Sequence, residues 1–337
     1  MNATMSLEKT LHYPVMLDQI LSMISPQHGG TFIDCTFGGG GYSKAILKYP
    51  NTKVLAIDRD KFTKKYANML QNKFPNRFSF IQNKFSNLDK IIELNLKPTA
   101  IIFDLGLSSF QLSDFKRGFS FHSKGPLSMQ MGFNTYSAYD VVNNLEKKKL
   151  TKLIKTFGDE KDGRIIASKI NKYRKEKQID TAEELSEIIN DAKKNYRKGN
   201  KNPATKTFQA IRIFVNQELT ELYRGLVAAT KLLSEGGKLI IVSFHSLEDK
   251  MIKYFFKSYS NTNSNPSRYL PAKPNKSILF SSISKKPLTP NEKEILQNTK
   301  SRSAKLRYAV RSNNSFVYPE QFNKKFEVFF KLEEMRL

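Results

Sequence analysis

Thr31-Phe32-Ile33-Asp34-Cys35-Thr36-Phe37-Gly38-Gly39-Gly40-Gly41-Tyr42-Ser43 is the stretch whose reading decides the fold. A short apolar run stops at an acid, four glycines follow, and a helical segment begins. Glycines let the backbone turn sharply and approach a ligand with no side chain in the way. At this point a nicotinamide-binding loop or a purely structural tight turn would read the same way.

The design recurs on the C-terminal side. Lys53-Val54-Leu55-Ala56-Ile57-Asp58 and Ala100-Ile101-Ile102-Phe103-Asp104 are again apolar runs that end at an acid, with Arg77 to Ile81 a further strand between them. Helical segments fill the gaps, such as Phe62 to Phe74. Strands alternating with helices predict an α/β fold, a parallel sheet covered on both faces. From about Leu112 to Pro203 strand signals vanish. Thr181-Ala182-Glu183-Glu184 has capping-box spacing and opens a helix with Leu185, Ile188, Ile189 and Ala192 on one face. Lys193 to Lys206 reads as a polar loop. Thr207 to Val215 and Asn216 to Leu233 read as helices, the second burying Leu219, Leu222, Leu226, Thr230 and Leu233. Lys238 to Phe244 restores the sheet. The expected organisation is a discontinuous core, residues 1–112 and 208–337, with an inserted helical domain over 113–207. Tyr259 to Lys276 reads as a flexible basic loop, Ser301 to Val310 as a final strand, and the chain beyond Ser312 as a helical or frayed tail.

Acids at strand ends give the glycine loop its meaning. Asp58 is placed to accept both ribose hydroxyls of an adenosine ligand, which serves either cofactor class. Asp34 precedes the glycines, where a negative charge repels a pyrophosphate and attracts the ammonium and sulfonium of S-adenosylmethionine. Phe85, in the turn after the third strand, is placed to lie against adenine, or to pack in the core. Ligands of open α/β sheets gather beyond the carboxyl ends of the strands, so Asp34, Asp58 and Asp104 should share one crevice.

Composition bounds the partners. The 337 residues are 39% hydrophobic, enough for a real core, and carry 56 Lys and Arg against 31 Asp and Glu, a formal charge of +25. That excess favours a polyanionic partner, since each neutralised phosphate releases counterions; a Lys-rich genome contributes to it as well. The lone Cys35 excludes an internal disulfide framework and a cysteine-rich zinc site. No metal cluster is visible. No apolar run reaches bilayer length, and the N-terminus lacks a secretory layout, so a cytoplasmic enzyme with no membrane partner is expected.

Longer motifs occur in order: His12 to Leu17, the glycine loop, Ala56 to Asp60, Asp104 to Leu112, Arg117 to Phe121, Pro203 to Arg212, Val215 to Leu219, Ser243 to Asp249 and Ser301 to Arg307. Together, over about His12 to Arg311, they resemble the bacterial 16S ribosomal RNA cytosine-N4 methyltransferase family. The resemblance implies a class I S-adenosylmethionine-dependent methyltransferase core of Rossmann-like type with an inserted helical domain for substrate recognition. It implies S-adenosylmethionine as donor and a cytidine in the decoding region of 16S RNA, in the small ribosomal subunit, as substrate. The family's cofactor contacts fall on Gly40, Gly41, Tyr42, Asp58, Phe85, Asp104 and Gln111. The chain departs from the family at Tyr42, usually His, and at Ser128 and Gln130, usually Asp and Arg, a change that removes an acid and a base together.

The chemistry expected is alignment of a weakly nucleophilic exocyclic amine with the sulfonium methyl. Asp104 and the backbone of Leu105-Gly106 are candidates to stabilise charge growing on that nitrogen, or to hold the donor's amino group. Phe244 is a candidate to stack on an extruded base, and His245 to hydrogen-bond it, relay a proton, or only fix the loop. Arg117, Lys206, Arg212, Arg302, Lys305 and Arg307 are candidate phosphate contacts, and the aromatics of Phe115 to Phe121 candidate stacking groups. Rival readings are a nicotinamide-dependent oxidoreductase, a methyltransferase for another substrate such as DNA, and a catalytically weak RNA-binding assembly factor on the same fold.

Overall fold

The computed structural model describes residues 14–93, 96–193, 202–260 and 278–337. His12, most of the Lys193 to Lys206 loop and most of Tyr259 to Lys276 lie outside the described residues. The chain forms two compact units, one from Met1–Gly106 with Glu221–Lys325, the other from Leu107–Thr220 with Phe326–Leu337.

The first unit is built on a seven-stranded sheet, counted among the described residues. Its strands are β1 (Gly30–Asp34), β2 (Thr52–Asp58), β3 (Phe78–Gln82), β4 (Ala100–Asp104), β5 (Lys238–Ser243), β6 (Phe280–Ile283) and β7 (Lys305–Arg311). The order is β3-β2-β1-β4-β5-β7-β6. The first five run parallel, and β7 is antiparallel to both β5 and β6. Phe32 of β1 pairs with Val54 of β2 on one side and Ala100 of β4 on the other. The chain therefore reverses direction across the sheet between β1 and β4, which opens a crevice at their carboxyl ends. Ile101, Ile102, Phe103, Ile240, Ile241 and Val242 are fully buried, as expected of central strands covered on both faces.

Along the chain the helices are α1 (Leu17–Ile24), α2 (Gly41–Ile46), α3 (Lys64–Lys73), α4 (Leu88–Ile91), α5 (Ser109–Ser113), α6 (Ala138–Asn144), α7 (Lys147–Gly158), α8 (Gly163–Tyr173), α9 (Ala182–Ala192), α10 (Thr205–Asn216), α11 (Glu218–Leu232), α12 (Ser246–Ser258), α13 (Glu292–Gln297) and α14 (Glu320–Glu333). The segment read as one helix from Phe62 is a short 3-10 turn, Lys61–Thr63, capped by Asp60, and then α3. The helix read from Asn216 starts two residues later, because Gln217 takes a left-handed conformation (φ 51°) and separates α10 from α11. The stripe expected on α11 is buried at Leu219, Leu222, Leu226, Thr230 and Leu233.

The second unit takes its packing from helices. On α7, Leu150, Leu153, Ile154 and Phe157 form one buried face, which packs on α8 and α10. Buried Asn216 holds the 129–131 segment: its amide donates to Met129 O at 2.8 Å, and its oxygen accepts Met131 N–H at 2.9 Å. Lys193 and Glu160, each 4% exposed, form an ion pair at 2.8 Å. Glu333 accepts the N–H groups of Leu219 and Thr220 at 3.0 and 2.8 Å, satisfying the first turn of α11.

The unit boundaries differ from those drawn on the sequence. The second unit runs from 107 to 220 rather than 113 to 207, and it includes residues 326–337, which the sequence reading left with the core. The tail joins it because Phe326, Phe330 and Leu332 are buried and Phe329 stacks on Phe157 at 6.3 Å.

Candidate active site

Three carboxylates end β1, β2 and β4 at the switch point, and the backbone between them is stitched by short bonds. Asp34 is fully buried, its Oδ2 accepting the Ser43 hydroxyl at 2.7 Å and its Oδ1 the Thr36 N–H at 3.3 Å. Asp34 thus fastens the glycine loop to the first turn of α2. Asp58 accepts the Gly38 N–H at 2.7 Å and the Asp60 N–H at 2.8 Å, so the same loop is tied to the end of β2. Asp104 donates its backbone N–H to Thr36 Oγ1 at 2.7 Å, and its Oδ1 is buried with no hydrogen-bond partner.

The loop itself needs its glycines. Gly40 is the N-cap of α2 at φ 78°, and a Cβ there would stand 2.8 Å from the Phe37 ring. Gly41 faces Pro14, 2.5 Å from where its Cβ would be. Tyr42 is 4% exposed and donates its hydroxyl to Val15 O at 2.5 Å.

Electrostatics at this edge are one-sided. Burial pushes Asp34 up to about 6, Asp58 to about 7 and Asp104 to about 8. After burial, the charge of Asp34 is the next cause at Asp104, the Tyr42 hydroxyl offsets part of it, and Glu248 adds to it. An acidic pocket with a buried carboxylate oxygen left without a donor fits a cationic ligand group.

Phe244 and His245 follow β5. The Phe244 ring lies 3.2 Å from where a Cβ on Gly106 would be, which brings it to the loop after Asp104. His245 is the N-cap of α12. Its Nδ1 accepts the Glu248 N–H at 3.4 Å, so Nε2 carries the hydrogen and faces Glu248 Oε1 at 3.1 Å. Glu248 Oε2 in turn accepts the N–H groups of Phe244 and His245 at 2.9 and 3.2 Å. The imidazole is engaged in starting a helix, and through it the Phe244 backbone is held.

Phe85 meets Phe103 edge-on, at 5.2 Å between centroids and 87° between planes. Gln111 belongs to the second unit, where its side chain accepts the Ser108 N–H at 3.0 Å to close the capping box of α5. The sequence reading brought out Asp34, Asp58, Asp104 and the glycines. Thr36 and Ser43 carry no expectation of their own, although both lie inside the glycine-loop motif, and Glu248, expected to cap the helix after His245, holds the Phe244 and His245 N–H groups there.

Candidate RNA contacts fare differently. Arg212 is committed to Glu218 through Nε and Nη2, at 2.7 and 2.8 Å, and buried Arg307 to Asp249 at 2.7 Å. Lys206 donates to Asp159 O at 2.6 Å and Arg117 to Gln130 O at 2.7 Å. Arg302 is exposed. Of the aromatics from 115 to 121, Phe115 is exposed, Phe119 is buried, and Phe121 packs edge-on against Phe208. Ser128 and Gln130 hydrogen-bond to each other at 3.2 Å as a neutral pair. They line a concavity of about 550 Å³ in the second unit together with Lys124, Ser137, Tyr139 and Asp180.

A doubly wound sheet with a reversed β7, a glycine turn after β1 and acids at three strand ends define a Rossmann-like methyltransferase. The model of the MraW methylase family matches residues 9–312. The ribosomal RNA small subunit methyltransferase H of Ehrlichia canis (strain Jake) is 44% identical over 301 residues, 88% of this chain and 98% of that one. The protein of the same name from Rickettsia massiliae (strain Mtu5) is 45% identical over 303 residues, covering 88% and 97%. The chain belongs to the MraW methylase family.

Proposed function

We propose that this methyltransferase transfers a methyl group from S-adenosylmethionine to the exocyclic N4 amine of a cytidine in the decoding region of 16S ribosomal RNA. The small-subunit substrate follows the name its relatives carry. The observation that carries the site is Asp104, whose Oδ1 is buried and without a donor beside the loop that Phe244 covers.

When bound, S-adenosylmethionine supplies an electrophilic methyl on a sulfonium. Gly40, Gly41 and Tyr42 would offer the backbone edge, Asp58 would receive the ribose hydroxyls, and Phe85 would lie on the adenine. The acidic corner of Asp34 and Asp104 attracts the cationic amino-acid end. The N4 lone pair is delocalised into the ring, so most of the acceleration comes from holding that nitrogen in line. A carboxylate at Asp104 also accepts a hydrogen bond from the amine and stabilises positive charge growing there. Phe244 stacks on the extruded base, and His245 with Glu248 fixes the backbone that carries it. The second unit, with its concavity and the exposed Phe115, recognises the RNA. The reaction places the protein in the cytoplasm with the small ribosomal subunit.

Labelled methyl transfer to small subunits from cells lacking this gene, with the nucleoside identified by mass spectrometry, tests the proposal. N4-methylated cytidine that disappears in Asp104→Ala is the expected result. Binding of S-adenosylhomocysteine without transfer to any subunit form would instead favour the assembly-factor reading.

A further inference from the structure

Glu221 stands near the start of α11, is 4% exposed, and has no role in the chemistry above. Its Oε1 lies 3.6 Å from Lys84 Nζ, beyond hydrogen-bond length, and its Oε2 is buried with no hydrogen-bond partner. A buried carboxylate oxygen with no donor is costly and calls for one. One helical turn later comes Gly225, where a Cβ would stand 2.6 Å from the Phe85 ring. Residues four apart share a helix face, so Glu221 is presented on the side of α11 that meets Phe85. Lys84 immediately precedes Phe85 in the same turn. Burial, which outweighs the pull of Glu221, holds the Lys84 ammonium below its ordinary range. The neighbouring Asn83 offers no alternative acceptor: its Oδ1 already receives the Lys84 N–H at 2.8 Å and the Asn87 amide at 2.9 Å.

Glu221 and Lys84 thus set an acceptor and a donor beside each other, one a helical turn from the glycine that meets the Phe85 ring and the other next to Phe85 in the chain. An adenine presents the complementary edge, an amine that donates next to a ring nitrogen that accepts. Hypoxanthine presents the reverse, a carbonyl next to an N–H. We propose that Glu221 and Lys84 read the adenine edge of the cofactor, Glu221 Oε2 accepting from the exocyclic amine and Lys84 Nζ donating to the adjacent ring nitrogen. This rests on S-adenosylmethionine being the donor, and it makes Glu221 and Lys84 the determinants of base specificity in the cofactor site.

The test is calorimetric titration of the full chain with S-adenosylhomocysteine and with its deaminated counterpart, S-inosylhomocysteine. The unaltered protein should prefer the adenosine form by roughly 10- to 100-fold, the discrimination expected of a two-point base contact. In Glu221→Gln the amide can donate to the carbonyl, so the preference should shrink to within about fivefold. Lys84→Met should weaken the adenosine form more than the inosine form, and the buried charge of Glu221, left unpaired, should lower the thermal midpoint as well. Equal weakening of both forms in Glu221→Gln, or an unchanged preference, overturns the assignment. If Glu221→Gln does not fold, Lys84→Met decides alone: loss of preference supports the proposal, and retention overturns it. Should the unaltered protein bind neither form, the cofactor reading falls and this assignment with it. Binding of both with equal affinity overturns the assignment alone.

Discussion

The Thr36 hydroxyl accepts the backbone N–H of Asp104 at 2.7 Å, joining the loop that leaves β1 to the last residue of β4. Two strands that pair only through Asp34 and Ile102 at this edge are thereby held one step further, where the carboxylate leaves the sheet. Thr36→Val keeps the shape and removes the acceptor. An N–H left without a partner costs about 1–3 kcal/mol, and that loss should appear as a lower denaturation midpoint. Affinity for S-adenosylhomocysteine should fall as well, because Asp104 would no longer be fixed. A titration showing full affinity at lowered stability would separate the two roles.

The pH dependence follows from Asp104. Its folded-state value of about 8 lies above the ordinary 3.8, so the folded chain binds this proton more tightly than the unfolded one. Stability from this group is therefore complete below about pH 4 and declines as pH rises towards 8. Attraction for a cationic amino group runs the opposite way, rising as Asp104 ionises and levelling off above pH 8. Binding of S-adenosylhomocysteine between pH 6 and 9 should show that rise, and Asp104→Asn should remove its upper part, leaving the earlier rise that Asp34 and Asp58 contribute below about 7.

His245 can be separated from the chemistry by exchanging it for other capping residues. Asn is a strong N-cap and cannot relay a proton at neutral pH. His245→Asn should keep the stability of the protein and methyl transfer within about tenfold, whereas His245→Ala should lose about 1 kcal/mol with the cap. A fall in transfer of about 100-fold or more in the Asn variant, with stability unchanged, would assign the imidazole a catalytic part.

Glu333 is fully buried, is pushed up to about 8 by burial, and serves two backbone donors at the start of α11. Glu333→Ala strands both, so a loss of about 2 kcal/mol or more is expected in chemical denaturation. Glu333→Gln keeps one acceptor oxygen and should lose less.

Legibility was uneven for physical reasons. The strands β1, β2, β4 and β5 were plain because each carries a largely buried apolar run, as over 54–57, 100–103 and 239–242, and three of them end at an acid. β6 escaped because Phe280-Ser281-Ser282-Ile283 has two exposed serines and no run or alternation to mark it. The separation of α10 from α11 was hidden, since a left-handed Gln217 carries no signature of the kind a glycine would. At the site, acids at strand ends could be read from position alone. Their bonds could not: nothing in the order of residues tells that Asp34 turns to Ser43, or that His245 turns to Glu248. Arg212 and Arg307 read as phosphate contacts because charge is visible in a sequence and partners are not.

The second unit is not finished when Thr220 has been made. Residues 221–325 intervene before the segment that supplies Phe326, Phe330 and Glu333. During synthesis, at about 5–20 residues per second, α7 to α10 must wait several seconds with part of their apolar surface and the first turn of α11 uncovered. Chains that stop short of Glu333 should therefore be recognised as incomplete by proteases even when the sheet has formed. The interleaving of the two units makes the segment after Lys325 a condition for the second to be whole.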